Sequence, residues 1–160
     1  MRLHRLLIAL LPCVILLGAV YSTEAGAQAL GKINNFNIVI ENLPPGASSC
    51  GVTEETLEDS LRFILQQSRI KVVKQVGRNW LYLNVNVIYL PEVRHCVYAV
   101  QLQVNTQAVI LANNQSASVV ISEKGGSGIA EQNQAAKKIN EMVETLAKSL
   151  VAAWSKDNSE

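Results

Sequence analysis

The chain has 160 residues and a formal net charge of +1, so it lacks the basic excess that is typical of nucleic-acid-binding proteins. Hydrophobic residues make up 49% of the sequence and are mostly aliphatic, because aromatic residues account for only 5%. A chain of this length suits one domain with one hydrophobic core.

The N-terminal segment, residues 1–27, predicts a secretory signal peptide. Arg2 and Arg5 give it a basic start, residues 6–20 form an uninterrupted apolar run, and Ala25 and Ala27 mark a small-residue cleavage site before Gln28. The run is shorter than the roughly 20 apolar residues that a spanning helix needs. We therefore expect export to the periplasm or the extracellular space, with residues 28–160 as a single domain that has no membrane span.

Three cysteines bear on the compartment and on stability. Cys13 lies in the predicted signal peptide; Pro12 occupies the position where a lipoprotein signal has a small residue, so lipidation is not expected. Cys50 and Cys96 remain, and in an oxidising compartment they predict a structural disulfide. The alternative is a metal site that combines both thiolates with His95, although zinc sites usually need three or four protein ligands.

The first predicted elements are a strand and a helix. Residues 36–40 alternate as in a strand with one buried face, and Pro44 and Pro45 end it. Residues 46–51 read as a loop. Thr53 is the expected N-cap of a helix through residue 67. The apolar stripe of this helix has 3.6-residue spacing and comprises Leu57, Leu61, Ile64 and Leu65.

Strands dominate the middle of the sequence. Residues 70–73 read as a short strand or as the exit of the helix. Residues 80–90 and 96–110 alternate clearly and predict an antiparallel hairpin, and residues 117–122 add a further strand. On the second strand of the hairpin, the polar residues Gln101, Gln103 and Asn105 share the face opposite the apolar one.

The C-terminal part predicts a loop and a long helix. Residues 124–128 (KGGSG) read as a flexible connector, because three glycines follow Lys124. A helix is expected from about residue 130 to 154, followed by a short, frayed polar tail. The apolar stripe of this helix consists of Ile139, Met142, Val143, Leu146, Leu150 and Trp154.

The predicted element order is β-α-(β)-β-β-β-α. Strands that cluster between two amphipathic helices favour an α+β fold, specifically a two-layer sandwich. We expect a mainly antiparallel sheet of about four strands, with both helices on one face and the polar strand face in solvent.

No motif in the sequence indicates a catalytic, cofactor or metal site. The glycine-rich segment lacks the Gly-Lys-Ser/Thr ending of a phosphate-binding loop. His95 is the single histidine after the signal peptide, and neither Ser48 nor Ser49 lies in a nucleophile motif. The acidic residues Glu54, Glu55, Glu58 and Asp59 are those expected in the first turn and on the wet face of a helix. The sequence therefore predicts no cofactor.

Several short motifs carry a family resemblance. They are a Cys-Gly-x-Thr-Glu helix start at residues 50–54, a Leu-Tyr-x-x-Val strand at residues 81–85 and the long C-terminal helix. In these features residues 50–154 resemble a group of small exported bacterial proteins of uncharacterised function. The resemblance implies export and a compact domain, and it implies no activity.

The leading functional hypothesis is a non-enzymatic, exported binding or accessory domain that contacts an envelope or secreted protein. The expected contact surface comprises Gln101, Gln103 and Asn105 on the polar strand face and Lys124 in the glycine-rich segment. The alternative is a small hydrolase or ligand-binding enzyme that uses His95. A pocket converging on His95 would favour the enzyme, whereas a flat polar sheet with an exposed edge strand would favour partner binding. The oligomeric state stays open.

Overall fold

A sheet with helices packed against it forms the core. A computed structural model describes residues 29–74 and 77–159, so the predicted signal peptide and Cys13 lie outside the described residues. The elements are β1 (Asn35–Ile40), α1 (Gly46–Ser49), α2 (Glu54–Gln66), β2 (Lys71–Val72), β3 (Asn79–Leu90), β4 (His95–Ile110), β5 (Gln115–Glu131) and α3 (Gln132–Asp157).

The α+β class is confirmed, but the expected sheet differs in detail. The described residues form five strands in the order β2-β1-β3-β4-β5. β1 pairs in parallel with both β2 and β3, while β3, β4 and β5 are antiparallel neighbours. The sheet is mixed because the segment containing α2 returns the chain to the same end of the sheet before β2 and β3, and such crossovers produce parallel pairs. The segment expected to be a loop contains the short helix α1.

Helix α2 follows the sequence pattern closely. The Thr53 hydroxyl accepts a hydrogen bond from the Thr56 amide at 3.2 Å, which confirms the predicted N-cap. All four residues of the predicted stripe are buried, and Leu57, Leu61 and Leu65 are fully so. The stripe therefore gives α2 its orientation against the sheet and α3.

Helix α3 begins and ends slightly later in the chain than predicted and presents a slightly different face. It runs to Asp157, and the Asn158 side chain beyond it donates to the Leu30 carbonyl at 3.0 Å, so the start of the expected tail is ordered by the N-terminal segment. Leu146 is only partly buried, because the neighbouring Ala147 is the residue of this turn that faces the core. The buried residues of α3 are Ala135, Ile139, Val143, Ala147, Leu150 and Trp154.

The predicted loop at residues 124–128 is wrong. These residues lie inside β5, a single strand of 17 residues that pairs with β4 along its length. On the helix-bearing face, a Cβ at Gly126 would lie 3.0 Å from the Met142 sulfur, and one at Gly128 would lie 2.6 Å from the Tyr98 hydroxyl. The two glycines thus leave room for side chains of α3 and β4, and the strand continues through them.

The predicted disulfide is present. Cys50 and Cys96 are bonded, with their Cα atoms 6.2 Å apart, and both residues are buried. The bond joins the residue that follows α1 to the second residue of β4, so it fastens the segment before α2 to a central strand. Because the disulfide occupies both sulfur atoms, the alternative metal site with His95 is wrong.

Candidate functional site

Two of the predicted surface residues form a hydrogen-bonded group on the sheet face away from the helices. Gln101 and Gln103 alternate along β4 with buried residues that include Val100 and Leu102, and both are partly exposed. Their side-chain amides donate to the two carboxylate oxygens of Glu123 on β5, at 2.8 and 3.1 Å. One carboxylate therefore fixes the orientation of both amides.

A second carboxylate, that of Glu41, orders the part of the same sheet face that lies on β3. The Asn84 amide on β3 donates to Glu41, which directly follows β1, and the Asn86 amide donates to the Asn84 side-chain oxygen at 2.6 Å. A hydrogen bond from the Tyr82 hydroxyl to Glu41 raises the pKa of the tyrosine above its ordinary value. Since Asn84 lies opposite Gln101 in the β3–β4 register, the two groups are adjacent.

We call this set the outer polar face; it consists of Glu41, Tyr82, Asn84, Asn86, Gln101, Gln103 and Glu123. Its groups are amides, carboxylates and a phenol on a sheet surface. Planar amides offer both donors and acceptors, and ionised carboxylates offer acceptors only. Such a surface can bind polar groups of a partner, and it contains no nucleophile paired with a general base.

The other two predicted surface residues do not contribute to this exposed surface. Asn105 is only 8% exposed and sits beside the register shift between β4 and β5. Lys124 lies opposite the buried Leu102, so its side chain belongs to the helix-bearing side of the sheet. Gln101 and Gln103 therefore share a surface, and Lys124 is not part of it. Glu41 and Glu123 were missed because only the strand pairing brings them beside these amides.

His95 lines a small pocket at the junction of the β3–β4 turn and the start of α3. The pocket has a volume of about 280 Å³, and its lining consists of Val93, Arg94, His95, Glu131, Gln132 and Asn133. The imidazole Nδ1 is 2.5 Å from the Val93 carbonyl oxygen, so Nδ1 carries the proton and donates to that oxygen. Nε2 is then free to meet a ligand, as an acceptor in the neutral imidazole and as a donor in the imidazolium.

The serines considered as partners of His95 are not in this pocket. The Ser48 hydroxyl donates to the Pro45 carbonyl at 3.1 Å, and the Ser49 carbonyl accepts from the Gln132 side chain at 2.9 Å. The pocket lining contains neither serine nor cysteine. Nucleophilic catalysis needs a nucleophile within hydrogen-bond reach of its base. The pocket geometry therefore fits binding better than hydrolysis.

The acidic residues of α2 are mostly exposed, and Glu58 forms an ion pair with Arg62 one turn later. Within residues 29–74 and 77–159, no group of three or more histidine, cysteine or acidic side chains could hold a metal ion. None of the helices in this part of the chain is long and apolar enough to cross a membrane.

Comparisons with known proteins give weak likenesses. No protein-family model matches the sequence, and no curated protein matches it. Among solved structures, a variant of the PelC dodecamer from Paraburkholderia phytofirmans has a TM-score of 0.46 and 16% identity, covering 78% of this chain and 90% of that one. A minor lipoprotein from Acinetobacter baumannii has a TM-score of 0.31 and 12% identity, covering 78% and 92%. Likenesses of this strength assign neither a family nor an activity.

Proposed function

We propose that this chain is an exported, non-enzymatic binding or accessory domain that acts through contacts with another envelope or secreted protein. The signal-peptide pattern of residues 1–27 supports export. The bond between Cys50 and Cys96 supports an oxidising compartment, because structural disulfides persist there and are rare in the cytosol.

The observation that carries the proposal is the outer polar face. Gln101, Gln103 and Asn84 are held in fixed orientations by two carboxylates, so a partner would meet a preorganised surface. Preorganisation lowers the cost of ordering side chains on binding. The face is partly exposed across β3, β4 and β5, and none of the described helices covers it.

A position-specific cross-link tests this surface. A photoactivatable side chain at Gln101 is expected to give discrete adducts heavier than the protein in the producing cell. The matched control is the same side chain at Lys148, which is 62% exposed on α3 away from the outer polar face. Adducts of equal yield from both positions, or none from Gln101, would contradict the proposal.

Export has its own test. The N-terminus of protein recovered from outside the cytoplasm is expected at or within a few residues of Gln28, because the cleavage site ends at Ala27. Intact-mass measurement of the recovered protein reads this directly. Recovered protein that still begins at Met1 would contradict cleavage after Ala27, whereas absence of the protein from every fraction outside the cytoplasm would remove export from the proposal.

The His95 pocket favours a second candidate function, the binding of a small ligand. The Arg94 guanidinium could contact an acidic group of such a ligand, and Nε2–H of the His95 imidazolium could donate to the same group. Because His95 is the single histidine beyond the predicted signal peptide, its imidazole proton resonances need no further assignment. Addition of acetate or inorganic phosphate should shift them, and the shift should be lost in Arg94→Gln. Unmoved resonances in both titrations would exclude simple carboxylates and phosphate as ligands.

A further inference from the structure

An exposed aliphatic row crosses the sheet next to the outer polar face. Ile88 on β3, Val97 on β4 and Ile129 on β5 are opposite one another in register and lie on the face away from the helices. Their exposed fractions are 62%, 38% and 62%. Cross-strand neighbours on one face contact one another, so the three side chains form a continuous apolar strip. The strip ends at Ile129, on the last strand of the sheet.

The strand that carries Ile129 is an unprotected edge. Among the described residues, no strand pairs with the side of β5 that faces away from β4. Proteins usually blunt such edges with proline, charged side chains or very short strands. Residues 127–130 contain no charge and no proline, whereas β2 at the opposite edge of the sheet has only two residues.

We propose that two copies of this chain associate by antiparallel pairing of their β5 edges over residues 127–131, with the two-fold axis at Ile129. The pairing places Ile129 opposite its symmetry mate and joins the two aliphatic strips into one row of six side chains. The proposal does not rest on export or on the outer polar face, because it uses only the edge and the strip.

The register follows from the side chains on each face, since cross-strand partners share a face. Centred on Ile129, the pairing puts Ser127 opposite Glu131, and Gly128 opposite Ala130 on the other face. A register centred on Ser127 would put the carboxylates of Glu123 and Glu131 directly opposite each other, which is destabilising. A register centred on Gly128 would put Ile129 opposite Ser127 and break the row.

A second copy is the occupant that these observations favour over an unrelated strand. The strip and edge are self-complementary about one axis, as an isologous two-fold interface requires. Removing Arg2, Arg5 and Glu24 with the signal peptide leaves 12 basic and 12 acidic residues, so net charge does not oppose self-association. Five paired residues on each side bury a total surface area smaller than the roughly 1,200 Å² at which standard stable interfaces begin, so the dimer is weak.

Cysteine cross-linking tests both the interface and its register. In the protein with its native disulfide, a cysteine at position 129 lies opposite its symmetry mate, and directly opposed Cβ atoms in an antiparallel pair are about 4.5–5.5 Å apart. Mild oxidation should convert Ile129→Cys to a covalent dimer. The controls Ile88→Cys and Leu111→Cys replace aliphatic residues that are 62% and 91% exposed, and they should cross-link at least about tenfold more slowly. Cross-linking of Leu111→Cys at the same rate, or none of Ile129→Cys, overturns the proposal.

Sedimentation provides a measurement that needs no new thiol. The wild-type protein should show a concentration-dependent dimer fraction, and Ile129→Lys should remove it by placing two ammonium groups opposite each other at the axis. Leu111→Lys changes an aliphatic residue to the same side chain at the β4–β5 turn and should leave the dimer fraction unchanged. An unchanged dimer fraction in Ile129→Lys, with native circular dichroism, would show that association uses another surface.

Discussion

Substituting alanine for Gly128 distinguishes a packed strand from a flexible connector. In β5, the new Cβ would lie 2.6 Å from the Tyr98 hydroxyl oxygen and 2.7 Å from the adjacent ring carbon. Overpacking of this kind costs about 1–3 kcal/mol, and replacing a strand glycine by alanine returns about 0.5–1 kcal/mol. We therefore expect Gly128→Ala to lower the free energy of unfolding by about 1 kcal/mol.

Gly126→Ala is the matched control on the same strand face. Its Cβ would lie 3.0 Å from the sulfur of Met142, and a methionine side chain has three rotatable bonds with which to move aside. Tyr98 is 7% exposed, so its ring has less freedom to shift. We expect Gly126→Ala to stay within about 0.5 kcal/mol of the wild type.

Urea unfolding of the oxidised protein measures both changes, from the transition midpoint and the slope. Combining Gly128→Ala with Tyr98→Phe removes the closest contact and should recover part of the loss as a coupling energy. In a connector that is flexible in the folded state as well, both alanines would instead leave the free energy of unfolding within about 0.5 kcal/mol of the wild type. Equal or greater stability of Gly128→Ala would refute the packing argument.

Three further predictions concern the core and the sheet. Replacing Cys50 and Cys96 by serine should lower the free energy of unfolding by about 4 kcal/mol, as expected for a disulfide with a sequence separation of 46. Detection of free thiols in the unreduced protein would show that the bond is absent. Leu150→Ala, at a position 2% exposed, should cost about 2–5 kcal/mol in chemical unfolding. The hydrogen bond to Glu41 raises the pKa of Tyr82 in the folded protein, so it stabilises the fold below pH 10, and this stabilisation is lost as the pH rises through the tyrosine pKa of the folded state. Ultraviolet titration should show a lower tyrosine pKa in Glu41→Gln.

The sequence alone determined the elements whose burial follows local periodicity. The apolar residues that recur about every 3.6 positions in α2 and every second position in β3 and β4 lie on the buried faces, as predicted. The backbone geometry of each element fixes which side chains share a face. Thr53 capped its helix as expected, since the cap depends on a contact only three residues away. The disulfide followed from a count of the cysteines left in an oxidising compartment.

Only the tertiary structure decided where non-local neighbours meet. Gly125, Gly126 and Gly128 have weak local preference for a strand, and pairing with β4 together with the packing of Tyr98 and Met142 keeps them in β5. The contact of Glu41 with Asn84 depends on parallel pairing across a long crossover. Local patterns do not encode strand order, because strand pairing is settled by how all the apolar faces are buried together.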